Sequence, residues 1–350
     1  MTGGIGTGPD RLTCLPVDGI GEVAAGDDLV ALLAGAVQLR DGDILVVTSK
    51  VVSKAEGRVR TAKREEAVAD ETDRTVARRG RTSIVRTRHG LVMAAGGVDA
   101  SNTDPDTVVL LPLDPDASAR RLRQGLAART GHNVAVLVTD TAGRAWRTGQ
   151  TDIAVGAAGL DVLLDYAGRT DPHGNELAVT APAVADELAA AADLVKRKLD
   201  RRPAAVVRGL GSLVLDPGEH GAGAASLVRD ESEDLFGLGA RDAVLAALHA
   251  HDARGFGAAC SALELVVELS RLPGLAGSGG CVVRVDGPGP NADVTALLAG
   301  TERELGAAGA MMRTAAFALG WRAVADDPAG DTGAAGPGGP MLLRFRVPTP

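Results

Sequence analysis

The residues best suited to chemistry stand in one short segment, Thr139-Asp140-Thr141-Ala142-Gly143-Arg144-Ala145-Trp146-Arg147. A carboxylate flanked by two hydroxyls is a set of hard oxygen donors, the kind Mg²⁺ takes together with substrate phosphates. Arg144 and Arg147 follow closely enough to neutralise phosphate or carboxylate oxygens. A plainer reading stays open, in which Asp140 caps a turn and the arginines are surface charge. Immediately upstream, Val134 to Val138 is an unbroken, valine-rich apolar run, the pattern of a strand buried on both faces. The polar triplet therefore sits at the end of a buried strand, where α/β folds commonly meet their ligands.

Two further segments carry similar residue types. Ile44 to Val47 reads as another buried strand and ends in Thr48-Ser49-Lys50, with Ser53 and Lys54 close behind. Two lysines and two hydroxyls beyond a strand end could hold phosphate oxygens. The alternative is an exposed polar extension of the strand. The GxxxxGK[ST] phosphate loop does not occur in the chain. In Gly96-Gly97-Val98-Asp99-Ala100-Ser101-Asn102 the glycine pair permits positive φ or a close approach, and Asp99 and Asn102 follow in a polar turn. These two are readable as ligands or as simple Asx-turn residues.

The elements that must position these residues follow from periodicity. Asp27-Asp28 opens a short helix carrying Leu29, Leu32, Leu33 and Val37, and Asp41-Gly42-Asp43 is a turn. The charged stretch 60–80 predicts an exposed helix, and Val108 to Leu111 a strand. A helix ending near Gly131 leads into the central strand. Pro182 is placed in the first turn of a helix whose apolar stripe is Val184, Leu188, Ala191, Val195 and Leu199. Beyond Phe256 the pattern predicts a helix over Ala262 to Leu272 and a strand over Cys281 to Val285. A long helix over Val294 to Leu319, a Gly/Pro linker over Asp326 to Pro340 and a last strand over Leu342 to Val347 follow. The reading is a mixed α/β protein with a main domain over residues 1–250 and a small α/β domain over 251–350.

Composition narrows the class. The 350 residues are 45% hydrophobic and 23% charged, a globular balance. With 37 basic and 45 acidic side chains the net charge is −8, and two tryptophans and one tyrosine leave little for base stacking, so a nucleic-acid partner is not expected. Cys14, Cys260 and Cys281 form no CxxC pair, which argues against structural zinc and disulfides and for a reducing cytoplasm. No apolar stretch has the length of a membrane span, and Met1-Thr2-Gly3-Gly4 opens no export signal.

Four patches in order resemble the coenzyme F420-0:γ-glutamyl ligase family. They are Thr48-Ser49-Lys50 with Ser53-Lys54-Ala55-Glu56-Gly57; Gly97 to Asn102; Asp140 to Arg147 with Gly149-Gln150; and Ala185 to Val195 with Val206-Val207-Arg208-Gly209. The match spans about Leu15 to Leu248. The resemblance implies a mixed α/β fold forming an intertwined homodimer. It also implies a GTP-dependent ligase that joins L-glutamate to coenzyme F420-0 and can extend the product through γ-linkages. By resemblance, Asp99 and Asp140 would be the catalytic metal ligands, and Thr141 would help hold a second ion. The ions would be two Mg²⁺ or Mn²⁺, with K⁺ a further candidate. Ser49, Lys50, Lys54 and Asn102 would contact the nucleotide. Leu15, Pro16, Val17 and Asp18 would line it, together with the basic run Lys196, Arg197 and Lys198. This chain has Arg197 where the family usually has glycine, and a lysine is a poor cation ligand, so the protein ligand of the second ion is open.

The chemistry of such a reaction matches the residue types. A carboxylate does not condense with an amine at neutral pH because its leaving group is poor, and phosphorylation by GTP supplies one. Phosphoryl transfer asks for in-line positioning and charge neutralisation more than for a protein nucleophile. His89, nearest the Asp99 turn among the histidines, is therefore read as structural. The alternative function is a nucleotide-binding regulatory or structural paralogue altered in catalysis, suggested by Arg197 and the unmatched tail. Some members of the family carry a C-terminal flavin domain; residues 251–350 lack its length and an Arg-Ser-rich phosphate segment, and FMN is not expected.

Overall fold

The computed structural model describes residues 11–80, 82–101, 106–231, 233–250, 256–272, 281–286, 292–324 and 340–348. The chain divides into two compact units, Met1–Arg229 and Asp230–Pro350. In chain order the first contains β1 (Thr13–Val17), α1 (Leu29–Ala36), β2 (Ile44–Thr48), α2 (Ser49–Ala55), β3 (Val59–Thr61), α3 (Arg64–Glu71), β4 (Thr72–Arg79), β5 (Thr82–Thr87), β6 (Val92–Ala94), β7 (Thr107–Val109), α4 (Pro115–Thr130), β8 (Ala135–Gly143), β9 (Gln150–Ala158), β10 (Arg169–Thr170), β11 (Glu176–Leu177), α5 (Val184–Lys196) and β12 (Ala204–Arg208).

The two valine-rich runs pair with each other. β2 and β8 form the parallel centre of a five-stranded sheet of order β1-β12-β2-β8-β9, and the other pairings are antiparallel. Alternate residues serve opposite faces. Leu45, Val47, Val134, Val136 and Val138 pack with Leu29 and Leu33 of α1 and Leu122 and Leu126 of α4. Ile44, Val46, Ala135 and Leu137 pack on the other side with Val184, Leu188 and Ala192 of α5. Both faces are covered, which is why these strands read as continuous apolar runs. Asp43, only 1% exposed, receives Nε and Nη2 of Arg208 at 2.7 Å each and ties β12 to the start of β2.

Several expectations shift. Ser49 to Ala55 is a helix rather than a strand extension, with Ser49, Val52 and Ser53 turned inward. The charged stretch 60–80 forms a helix only over Arg64–Glu71. It then turns extended as β4, whose Val76 is buried and which pairs with β5. Pro182 precedes the helix cap Ala183, and Leu199 lies beyond α5 and is exposed. β8 does not end at Thr139 but runs to Gly143, because β9 keeps pairing with it after a bulge at Val138/Thr139.

The second unit contains α6 (Ala240–His249), α7 (Ala262–Ser270), β13 (Cys281–Asp286), β14 (Asp293–Leu298), α8 (Glu302–Ala318), β15 (Arg322–Ala323) and β16 (Met341–Arg346). The helix expected from Val294 begins only at Glu302. Val294 to Leu298 pair as a strand between β13 and β16, and Thr301 with Glu304 makes a capping box that starts the helix. Helices α7 and α8 bury one face of the antiparallel sheet β13-β14-β16-β15 around Trp321, Phe345, Leu265 and Met312. No described helix is long and apolar enough to cross a membrane.

Gly156 of β9 lies against the first turn of α4, where a β-carbon would stand 2.3 Å from the Pro115 carbonyl oxygen. Gly156→Ala is expected to lower the unfolding free energy by ~1–3 kcal/mol through overpacking, measured by urea denaturation. An unchanged midpoint would show that α4 does not hold this approach.

Candidate functional site

The ladder between β2 and β8 ends with the pair Thr48 and Thr139. One residue further along each chain stand Ser49, which opens α2, and Asp140. The Ser49 hydroxyl donates to Asp140 Oδ1 at 3.1 Å. Asp140 itself lies opposite Ile153 on β9. Its carboxyl is pushed from near 3.8 up to about 7, chiefly by burial. The Ser49 hydroxyl opposes the rise, and the negative charges of Asp152 and Asp99 add to it. Among the described residues no lysine or arginine forms an ion pair with it.

Asp99 reaches the same region from a different part of the chain. Gly97 takes a φ of +69 where a β-carbon would strike the Leu111 side chain at 2.8 Å, so the turn before Asp99 requires glycine. The Asp99 backbone then pairs with Val109 in both directions, at 2.9 and 2.8 Å. Its side chain accepts the Ser101 amide at 2.7 Å and faces the Lys50 ammonium at 3.0 Å. Burial works to raise this carboxyl, yet the hydrogen bonds from Ser101 and the charge of Lys50 outweigh it and hold it below the usual carboxylate range. Lys50 also donates to the Ser101 carbonyl.

Beneath Asp140 lies a buried polar cluster. Asp152 sits directly across from Thr141 on β9 and is 3% exposed. The Thr141 hydroxyl donates to Asp152 Oδ1 at 2.9 Å, and the Thr139 hydroxyl donates to Oδ2 at 3.0 Å. Lys196, in the last turn of α5 and 4% exposed, donates to Asp152 Oδ2 at 2.6 Å and to Thr139 Oγ1 at 3.0 Å. Because Thr141 spends its hydrogen on Asp152, its oxygen lone pairs are left to accept from, or coordinate, something else.

The remaining sequence-predicted residues fall as follows. Lys54 is paired with Glu22 and Asp18 with Arg202, the latter at 2.6 Å. Leu15, Pro16 and Val17 lie on β1, with Val17 buried. Lys196 separates from its neighbours: it turns inward, while Arg197, at φ 56 beyond the helix end, and Lys198 are exposed. Arg144 and Arg147 are exposed at the β8–β9 hairpin, with Arg144 donating to the Thr148 carbonyl at 2.9 Å. Asn102 lies outside the described residues. His89 hydrogen-bonds the Pro112 and Leu113 carbonyls at 2.9 and 3.2 Å, a structural role. Asp152 was not singled out by sequence reasoning. Its one signal is an aspartate heading the apolar run Ile153 to Val155.

Among the described residues no three His, Cys, Asp or Glu side chains gather into a metal-binding group. What the arrangement offers is one carboxylate held charged by a lysine, one carboxylate without a cationic partner among the described residues, and neutral hydroxyl oxygens beside it. That donor set suits a hard cation that keeps water or phosphate oxygens in its remaining positions.

The native Asp140 keeps its proton up to about pH 7, whereas an unfolded chain loses it near 3.8. The native state therefore binds more protons in this window, and its stability falls as pH rises through it. Asp140→Asn, in metal-free buffer, is expected to stabilise the protein by roughly 1–2 kcal/mol at pH 8, after discounting for solvent screening, and to change it little near pH 4. Urea denaturation at the two pH values checks this, and an equal effect at both would exclude titration of Asp140.

Comparison with known proteins adds family evidence. The F420-0:Gamma-glutamyl ligase family matches residues 19–67 and 61–209. The chain is similar to a protein named coenzyme F420:L-glutamate ligase from Archaeoglobus fulgidus, 40% identical over 222 residues, which is 57% of this chain and 88% of the relative. It is also similar to proteins of that name from Methanopyrus kandleri, 39% identical over 61% of this chain and 93% of the relative, and Methanothermobacter thermautotrophicus, 38% identical over 64% and 98%. The family match ends at residue 209, ahead of the second unit.

Proposed function

The chain belongs to the F420-0:gamma-glutamyl ligase family, and from that premise we propose that it is a GTP- and divalent-metal-dependent ligase that joins L-glutamate to coenzyme F420-0. The observation that carries the reading is the raised Asp140 carboxyl. It is a desolvated, half-buried acid that accepts the Ser49 hydroxyl near a lysine-paired Asp99, at the mouth of the sheet. Asp99 and Asp140 would hold Mg²⁺ or Mn²⁺, with Thr141 as a neutral oxygen ligand. Bound there, such an ion would neutralise phosphate charge and polarise the transferring phosphoryl group.

The chain's own residues would do the rest. Lys50 and Lys54 follow Ser49 along α2 and would bring positive charge to the nucleotide phosphates, Lys54 exchanging its Glu22 partner for them. Arg197, Lys198, Arg144 and Arg147 are exposed and would turn toward phosphate or carboxylate groups of the substrates, Arg197 leaving Asp200 and Arg144 the Thr148 carbonyl to do so. The acceptor carboxylate oxygen takes the γ-phosphoryl group of GTP, which leaves as GDP, and the product is an acyl phosphate. The glutamate amine then attacks the acyl carbon, phosphate departs, and the amine's surplus proton passes to solvent. These steps require orientation and charge neutralisation, and no protein nucleophile takes part.

The test is turnover with product mass analysis. GDP and phosphate should appear only when L-glutamate and coenzyme F420-0 are both supplied, and the acceptor should gain the mass of one or more glutamyl residues. Asp140→Ala should cut the rate by ~10²-fold or more while leaving a folded protein by circular dichroism. Full activity in that variant would remove Asp140 from the site.

The same family resemblance carries an assembly reading, a homodimer. Light scattering at micromolar concentration should give twice the monomer mass, and a monomer under those conditions would remove it.

A further inference from the structure

The buried pair Lys196–Asp152 has no role in the steps above, yet it lies one hydrogen bond from Thr141. Resting on the ligase reading, we propose that Lys196 occupies Asp152, the carboxylate a second metal ion beside Thr141 would otherwise take, so that this site takes one divalent cation per chain.

The geometry closes around Asp152. Oδ2 takes the Lys196 ammonium at 2.6 Å and the Thr139 hydroxyl at 3.0 Å, while Oδ1 takes the Thr141 hydroxyl at 2.9 Å. Lys196 also donates to Thr139 Oγ1 at 3.0 Å, so each member of the cluster holds another in place. Asp152, Lys196 and Thr139 are 3%, 4% and 0% exposed. A carboxylate so enclosed does not swing out to a metal ion, because doing so would strand a buried ammonium. The ammonium is itself well placed, since the carbonyl end of α5 favours a cation in the last turn.

The ion pair is neutral as a unit, so it offers a second cation on the far side of Thr141 no unpaired carboxylate. The carboxylate that would attract such an ion, Asp152, is already neutralised. Asp140 and Asp99 are left for a single ion, with Thr141 supplying its oxygen lone pairs. The exposed Arg197 and Lys198 beyond the helix end add positive charge around the site rather than ligands.

The experiment counts Mn²⁺ bound per chain by titration in the presence of saturating GDP, with free Mn²⁺ read by electron paramagnetic resonance. The 350-residue chain is expected to bind one ion. Two ions would overturn the proposal and leave the ligase reading intact; no binding up to millimolar Mn²⁺ would overturn both. Lys196→Met leaves Asp152 without its cation and is expected to raise the count to two. A count of one in that variant would show that Lys196 is not what excludes the second ion. If the variant folds only with Mn²⁺ present, the count is read from the refolding titration, and Lys196→Arg, which keeps the charge, must remain at one.

Discussion

The parallel ladder between β2 and β8 stops at Thr48 and Thr139, and the site exists because it stops there. Up to that pair both strands are flanked by other strands and covered on both faces, so only apolar side chains fit without a desolvation cost. One residue later β2 has become α2, and β8 keeps only β9 as a neighbour. The ladder's last residues therefore open onto space that polar side chains can share. Ser49 and Asp140 are the first residues past the end, and their hydrogen bond joins the two strand exits.

Partners sort the three carboxylates near this point. Asp99 holds its charge because Ser101 and Lys50 surround it, while Asp152 is enclosed by Lys196 and two threonine hydroxyls. Asp140 is desolvated and faces the two negative neighbours, and these outweigh its one hydroxyl partner, so its proton leaves only near neutrality. A desolvated acid of this kind is a strong demand for a cation. The ligase reading answers that demand with a metal that would also carry nucleotide phosphates.

The second unit follows a simpler rule. Its helices cap themselves with Ser261–Glu264 and Thr301–Glu304 boxes and bury one face of an antiparallel sheet. The other face shows Val282, Leu297 and Leu342 in register and exposed. Its core is separate from those of the first unit, in keeping with a family match that ends at residue 209.

Much of the first unit was legible in the chain. Apolar runs at Ile44 to Val47 and Val134 to Val138 announced buried strands because strands covered on both faces tolerate no polar residue. Asp28 and Gly131 marked helix ends through local hydrogen bonding and φ preference. The residue types at Ser49, Asp99, Asp140 and Thr141 were visible too, since hydroxyls and carboxylates just past apolar runs are uncommon. Pairing over long separations was not visible. Whether the charged stretch after residue 71 became β4, or Val294 to Leu298 became β14, depended on a partner strand that offered a ladder and an apolar surface. The same holds for Lys196. In the sequence it is one of three basic residues in a row; only the packing of α5 against β9 brings it to Asp152 and buries both, because an ion pair forms where the fold places opposite charges together and out of water.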